Sequence, residues 1–557
     1  LVIIVTGLCL LFSQALFSFL RAASADIVVY GGTSAGVVAA VHAARGGKSV
    51  ILLAPERHLG AMSSAGLGFT DSGKTATIGG LSREFYHRIW KEYRKPESWK
   101  FGRTREKFAG RGQGTRAMDD EKELMWVFEP SVAERVYDDW VKEAGVTVVK
   151  DAWLDRKNGV HKKGGKITAI KTLDGKVYRG GVFIDATFEG DLMAAAGCSY
   201  HVGREANSVY GEQHNGAQTG RLSGHRHHFQ KPVDPYVVEG DPGSGLLRHV
   251  SGEAPGSVGE GDGRIQAYCF RLCLTNIPEN RIPFPKPDSY NADDYILWLR
   301  YYAAEGRRDP LKNDWIMNGK TDTNNQGAFS TDFLGGNYGY PEASYAERAK
   351  IIQAHKDYQL GFLYFLANDE RVPERVRSDV SKLGLPKDEF TDNGGWPFNL
   401  YIREARRMVG EYVMTELDCR GKRETPDSIG MGSYTLDSHN TQRYVTSDGR
   451  VQNEGDVGVG CPPYRISYGS IVPRRGECSN LLVPVACSAS HIAYGSIRME
   501  PVFMILGHSA AAAAAIAIDD NAAVQDVDYG KLSKKLLLDG QILSLEKKSE
   551  KKRPNAG

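Results

Sequence analysis

Four sets of residues in this chain have types and spacings that could do chemistry. The first is a glycine turn, Gly31-Gly32-Thr33-Ser34-Ala35-Gly36, set between a β-branched run at residues 26–30 and an Ala/Val-rich run at 36–45. A strand feeding a helix through such a turn aims unpaired N–H groups and the positive end of a helix dipole at an anion, of which a pyrophosphate is the leading case. The second is Glu56, twenty residues past Gly36, at a distance from the turn where a carboxylate reaches ribose hydroxyls. The third is His491 in SASHIAYGS, whose imidazole can accept a proton near neutral pH. The fourth is Arg498, seven residues on, a permanent cation able to anchor an acid or an oxyanion. Plainer roles stand beside these: His491 bonding backbone or cofactor only, and Arg498 paired with Glu500 or Asp191.

Positioning these groups requires an α/β framework. Residues 26–30, the turn, the helix 36–45 and a second strand at 49–53 make a βαβ unit of Rossmann length. Read as G-x-G-x-x-G, the outer glycines are Gly31 and Gly36, and Thr33 stands where the second glycine belongs. A Gly/Ser-rich loop follows at 59–73, then helices at 81–93 and around Val132, Val136 and Trp140, then a strand at 146–149. Residues 166–184 alternate as strands about a Leu173-Asp174-Gly175-Lys176 turn. The run VFIDATFEGDLMAAAG then places Asp185 to Asp191 at the carboxyl end of a strand, where open α/β sheets bind ligands. From about 200 to 451 the texture changes to long loops rich in Pro, Gly, Tyr and Trp, with helices expected at 343–366 and 400–417. This stretch would house substrate recognition. Cys269 and Cys273 share a face if AYCFRLCLT is a strand. A buried strand at 481–485 and an alanine-rich helix at 507–518 close the regular part, the N-terminus of that helix suiting negative charge on a flat ring.

The 557 residues exceed one core, and a formal net charge of +2 gives no electrostatic case for nucleic acid. Residues 1–20 are nearly all apolar and lead through Arg21 to Ala23-Ser24-Ala25, the pattern of a cleaved secretory signal peptide. An uncleaved anchor is the alternative, since twenty apolar residues just span a bilayer. Seven of the eight cysteines lie beyond that segment, with no C-x-x-C, so neither a full disulfide framework nor a redox dithiol is expected. His225, His227 and His228 in HRHHF lack the spacing of metal ligands, and no metal site is expected.

The blocks GGTSAG, APERHLGAMSSAGLG, IGGLSREFYHRIW, WVFEPSVAERV, FIDATFEGDLMAAAG, VGREANSVYGE and SASHIAYGSIRMEPVFMILGHSAAAAAA resemble the FAD-dependent oxidoreductases, bacterial and often exported flavoproteins some of which are named xanthan lyase. The resemblance covers the first 215 residues and the last hundred well, and the middle more loosely. It implies a glutathione-reductase-type FAD domain built from both ends of the chain, residues 26–200 and 452–540. An α+β cap at 201–451 would lie between them, with a signal peptide at 1–25 and a flexible tail at 541–557. It further implies that Gly31, Gly32, Thr33, Ser34, Ala35 and Gly36 hold the pyrophosphate and Glu56 the adenosine ribose. Met62, Ser63 and Ser64 would run beside the ribityl chain, Ala186 and Thr187 near the adenosine half, and Gly507 at the flavin edge. Family members often carry a glycine after Gly60; here Ala61 follows. Related proteins attach flavin through a histidine in this loop, where Ser63 and Ser64 stand, so non-covalent FAD is expected.

The activity expected is that of an exported enzyme taking a hydride from a small molecule. The expected site of attack is a hydroxyl-bearing carbon of a sugar or uronic acid, with His491 as base and Arg498 as anchor. A lyase or isomerase that removes a hydride and returns it shares every one of these features, and net electron transfer to an acceptor separates the two. A redox-silent binding protein would need neither a base nor an open flavin face.

Overall fold

The computed structural model describes residues 22–545 apart from 109, 221, 225 and 307–308, so the apolar run 1–20, His225 and the last twelve residues lie outside it. Strand β1 (Ala23–Tyr30) starts three residues before the β-branched run, because Ala23, Ser24 and Ala25 pair in register with Tyr178, Arg179 and Gly180. Ile27, Val28, Val29 and Tyr30 are buried on both faces, as befits a central parallel strand. Helix α1 (Ser34–Arg45) returns the chain to β2 (Val50–Leu53), parallel to β1. Helices α2 (Gly80–Glu92) and α3 (Pro130–Glu143) precede β3 (Thr147–Val149), parallel to β2. Strands β4 (Val160–Lys163), β5 (Lys166–Lys171) and β6 (Val177–Asp185) then run as an antiparallel meander. Parallel pairing of β6 with β1 sets Asp185 beside Tyr30. Strand β7 (Leu481–Leu482) comes from the far end of the chain and pairs in parallel with Phe183 and Ile184 of β6. The sheet order is β3-β2-β1-β6-β5-β4, with β7 also on β6. This is the expected Rossmann-like α/β sheet.

Short helix α4 (Asp191–Ala195) leads out of the sheet. The middle of the chain carries α5 (Ile296–Glu305), α6 (Tyr345–Asn368) and several two-stranded ladders. A reciprocal Ser344/Glu347 capping box starts α6, satisfying two end groups that a bare helix leaves unpaired. Of residues 400–417 only the last two are helical, opening a single turn at Glu416–Cys419. Met408 N bonds Ala486 O and Met414 N bonds Ser488 O, so the backbone spends its hydrogen bonds on the 486–488 segment instead of on itself. The 269–273 run forms isolated bridges instead of a strand, Cys269 pairing with Tyr401. A hairpin of Gln442–Val445 and Val451–Glu454 straddles the boundary expected at 451/452, and the chain rejoins the sheet only at β7.

Three helices close the chain: α7 (His491–Ile497), α8 (Glu500–Asp519) and α9 (Tyr529–Leu538). Helix α8 is long and apolar enough to cross a membrane by composition, yet 83% of its apolar window is buried inside the protein. It begins at Glu500, with Pro501 in its first turn, two turns ahead of the expected start. Gly507 is therefore mid-helix, and its role is packing: a Cβ there would lie 2.3 Å from Ala35 O of α1. The helix end expected at the flavin edge belongs to Met499 and Glu500.

Candidate active site

The glycine turn is locked by its neighbours. Gly31 has φ 116°, and a Cβ on it would meet Ala186 C at 2.6 Å; one on Gly36 would meet Gly31 O at 1.9 Å. Thr33 caps α1, its hydroxyl accepting from Gly36 N at 3.2 Å and donating to Ala186 O at 2.7 Å. The residue in place of the second glycine thus ties the turn to the end of β6. Gly60 N donates to Gly32 O at 2.8 Å, which brings the 3-10 turn Ala61–Ser64 under the start of α1. Ala61 sits at φ 45°, a left-handed conformation that costs a residue with a Cβ about 1–2 kcal/mol. Met62, Ser63 and Ser64 are buried, and Ser64 Oγ donates to Leu59 O at 2.5 Å. Ser34 Oγ donates to Glu500 Oε2 at 2.5 Å, with Ser63 Oγ at 3.4 Å from the same oxygen. Burial pushes the Glu500 carboxyl up to about 7, against these two hydroxyls.

A cavity of about 460 Å³ opens beside the turn, lined among others by Tyr30, Glu56, Thr187, Glu189, Tyr345 and Phe398. Desolvation by these walls, then the charge of Glu189, push Glu56 up to about 7. Asp185 is pushed up to about 6 by burial although Thr187 and the backbone of Met193 donate to it. Burial opposes ionisation of Asp191 too, but Arg348, Arg156 and Arg406 outweigh it and hold that carboxyl below its usual range. Asp191 is thus not the partner of Arg498, and neither is Glu500.

His491 and Arg498 flank a second centre at the two ends of α7. Glu205 accepts from His491 N at 3.0 Å, and Glu404 lies 2.8 and 2.9 Å from Nδ1 through its two oxygens. Nε2 faces Ser438 Oγ at 3.1 Å. Burial resists the charge on Glu404, but His491 and Arg407 outweigh it and lower its pKa; Arg407 helps hold Glu205 down to about 2 in the same way. Arg498 donates to Asp437 Oδ2 at 2.7 Å, Tyr401 OH at 2.9 Å and Gln266 Oε1 at 3.2 Å. Beside it, His439 Nδ1 is 2.7 Å from Asp332, and Arg403 is 3.3 Å from the same carboxylate. Burial, then Arg403, push His439 down to about 4, so it is neutral near pH 7. Among the described residues, Arg498 Nε, Arg403 Nε and Gln266 Nε2 are buried N–H groups with no partner. Buried donors left unpaired are costly, and a polar ligand that meets them recovers that cost.

No sequence motif points to Glu404, Asp437, Ser438, His439, Asp332, Arg403 or Gln266, and Glu500, considered as a partner of Arg498, bonds Ser34 instead. The one usable sign was the charge-dense REARR run at 403–407, which reads as a solvated helix face. His227 and His228 of HRHHF lie 3.3 and 3.9 Å from Asp456. Glu129, Asp388 and Glu389 converge as metal ligands do, but Lys320 Nζ lies 2.6–2.9 Å from all three and supplies the cation itself.

The sequence model of the FAD-dependent oxidoreductase family matches residues 26–536. The chain belongs to that family. This FAD-dependent oxidoreductase is an enzyme of general flavin redox chemistry. No curated protein matches it. Among solved structures it is similar to THI4 of Thermovibrio ammonificans, at 17% identity over 37% of this chain and 74% of that one, with a TM-score of 0.22. A 3-ketosteroid-delta4-(5alpha)-dehydrogenase from Rhodococcus jostii matches at 16% identity over 31% and 48%, TM-score 0.19. The amino acid oxidase NikD of nikkomycin biosynthesis matches at 14% over 33% and 57%, TM-score 0.20. The matched stretch spans less than two thirds of the latter two proteins.

The residues present fit FAD. Turn, helix N-terminus and cavity are contiguous through Tyr30 and Thr187, with Glu56 inside the cavity. An ionised carboxylate accepts from hydroxyls more strongly than its protonated form, so if Glu56 holds the ribose, FAD affinity is expected to rise by up to about tenfold between pH 6 and pH 8 as Glu56 loses its proton near 7. The stability of the flavin-free protein moves the other way. A carboxyl raised on folding contributes fully below its unfolded pKa of about 4.3, and that contribution is lost as pH climbs through 7. Fluorescence titration of FAD at pH 6, 7 and 8 checks this. Glu56→Gln should flatten the profile, and an unchanged slope in that variant would assign the titration elsewhere.

Proposed function

We propose that this enzyme is exported and oxidises a hydroxyl-bearing carbon of a small acidic carbohydrate, using non-covalent FAD. FAD, when bound, supplies an acceptor for the hydride. Glu404 fixes the imidazole of His491, whose Nε2 takes the hydroxyl proton at the position where Ser438 now bonds it. Arg498 and Gln266 hold the acidic end of the substrate. The observation that carries the reading is the set of buried, unpartnered N–H groups on Arg498, Arg403 and Gln266 next to the His491–Glu404 pair. Two guanidinium donors suit a carboxylate. Non-covalent binding is supported by the loop 60–68, which offers no His, Cys or Tyr for attachment and whose two serines bond Leu59 O and Glu500. Export rests on the apolar run and on Ala23-Ser24-Ala25; cleavage after Ala25 would leave the core-forming part of β1, residues 26–30, intact.

Anaerobic mixing with a panel of neutral sugars and uronic acids tests the proposal. Uronic acids should bleach the flavin absorbance and neutral sugars much less. A panel that leaves the spectrum untouched would reject the substrate class, while bleaching that regenerates without an acceptor would favour transient oxidation. Acid precipitation should release the yellow chromophore into the supernatant; colour kept in the washed pellet would reject non-covalent binding.

A further inference from the structure

Seven cysteines fall among the described residues, all as free thiols. Two of them are neighbours brought together from opposite ends of the chain. Cys198 follows α4 and Cys478 precedes β7, at 4% and 1% exposure. Both belong to the apolar layer of Val28, Tyr30, Phe183 and Leu481, on the sheet face turned away from α1. Each thiol is the largest influence on the other, Cys478 raising Cys198 and Cys198 lowering Cys478. Around them four hydrogen bonds tie the two segments together. Lys162 Nζ donates to Ala196 O at 2.5 Å and to Glu477 O at 2.7 Å. Ser199 N and Oγ donate to the Glu477 carboxylate at 3.0 and 2.5 Å. Neighbouring buried thiols in one packed layer, on segments that these bonds hold close, are candidates for a disulfide. The pair is also chemically asymmetric. Cys198 first, and the Lys162 ammonium after it, help hold the Cys478 thiol down to about 7, while Cys198 is raised. A lowered thiol beside a resolving one is the pattern of reactive dithiols. Two of the other sulfurs are engaged elsewhere, Arg403 donating to Cys269 Sγ at 3.2 Å and Cys461 Sγ to Val459 O at 3.8 Å, while Cys478 Sγ also lies 3.7 Å from Asn480 Oδ1.

We propose that Cys198 and Cys478 form a reversible disulfide stapling the β6–α4 arm to the segment that delivers β7, so that the flavin domain is closed covalently across its two chain ends. The oxidant is a low-molecular-weight disulfide. The Cys478 thiolate attacks one of its sulfurs and expels a thiolate; the Cys198 thiolate then attacks the mixed disulfide and expels the second. Two protein thiols are oxidised, one disulfide is reduced to two thiols, and the two protons pass to the departing sulfurs. At this burial the exchange proceeds during folding or through local opening of the 477–480 segment.

The test is peptide mass spectrometry on the folded full-length protein, equilibrated with oxidised glutathione, alkylated without reductant and digested. A linked peptide carrying both cysteines, about 2 Da lighter than the sum of its parts and lost on reduction, is the expected result. The oxidised protein should melt about 2–4 °C above the reduced one. That difference should vanish in Cys198→Ser, where Cys478 should carry glutathione, and persist in Cys461→Ser. Recovery of Cys198 and Cys478 as separately alkylated or separately glutathionylated peptides from the wild type would overturn the proposal, whatever the variants do.

Discussion

Gly36→Ala is expected to weaken FAD binding about 5- to 150-fold while leaving the sheet intact. The added Cβ would lie 1.9 Å from Gly31 O, a contact no rotamer relieves because Ala has none. Relief must come from the backbone. Gly31 is pinned by Leu53 O through its own N–H and by Ala186 and Thr187 at its α-carbon, so the peptide after it has little room to swing. The start of α1 must then tilt away from the turn, carrying Thr33 and Ser34 off their partners Ala186 O and Glu500. Overpacking of this kind costs about 1–3 kcal/mol, paid here where the helix end would meet the pyrophosphate. Most of the loss should therefore fall on the cofactor and little on the core. Gly263→Ala is the control, since nothing lies within 4 Å of its Cβ position. Flavin content per chain and FAD titration of the stripped protein give the readout. A Gly36→Ala dissociation constant within about twofold of wild type would mean that the turn is not the pyrophosphate site.

What could be read from the sequence follows the range of the interactions concerned. The β1–α1–β2 unit is local: β-branched runs, a glycine turn and a small-residue helix fall in consecutive positions, and the structure forms all three with their starts displaced by one to three residues. Helix α6 was legible because its capping box is spelled out by Ser344 and Glu347. Helix α8 starts ahead of the alanine-rich run because Pro501 fits its first turn, where proline costs no hydrogen bond. Residues 400–417 failed for a tertiary reason. Their composition favours a helix, but Arg403, Glu404 and Arg407 are all drawn into buried pairs with residues far away in sequence. The partners of His491 were illegible on the same ground. Glu404 is 87 positions away and Ser438 53, and no spacing rule links a helix start to a loop and a ladder at such distances.

Those partners change what replacing His491 should do. Its imidazole stands between Glu404 and Ser438 at 2% exposure, so His491→Ala both removes the proposed base and strips a buried carboxylate of one partner. Glu404 keeps Arg407 at 3.3 Å and Gln266 N at 3.1 Å, so part of its charge stays compensated. Loss of stability near the low end of the 3–5 kcal/mol typical of a broken buried pair is therefore expected from Ala. His491→Asn separates the two effects. Its amide can still donate to Glu404 and accept from Ser438, which restores the polar contacts, but it has no basic nitrogen. Both variants should reduce their flavin about 10²–10⁴-fold more slowly than wild type, the range for loss of a general base, while Asn should recover most of the melting temperature lost in Ala. A histidine that merely held Glu404 in place would behave otherwise, with Asn restoring rate and stability together. Stopped-flow reduction by a bleaching uronic acid decides the matter. An Asn variant within a few-fold of the wild-type rate would move His491 from proton acceptor to positioning residue and leave neutral His439, 2.7 Å from Asp332 and close to Arg498, as the base to test next.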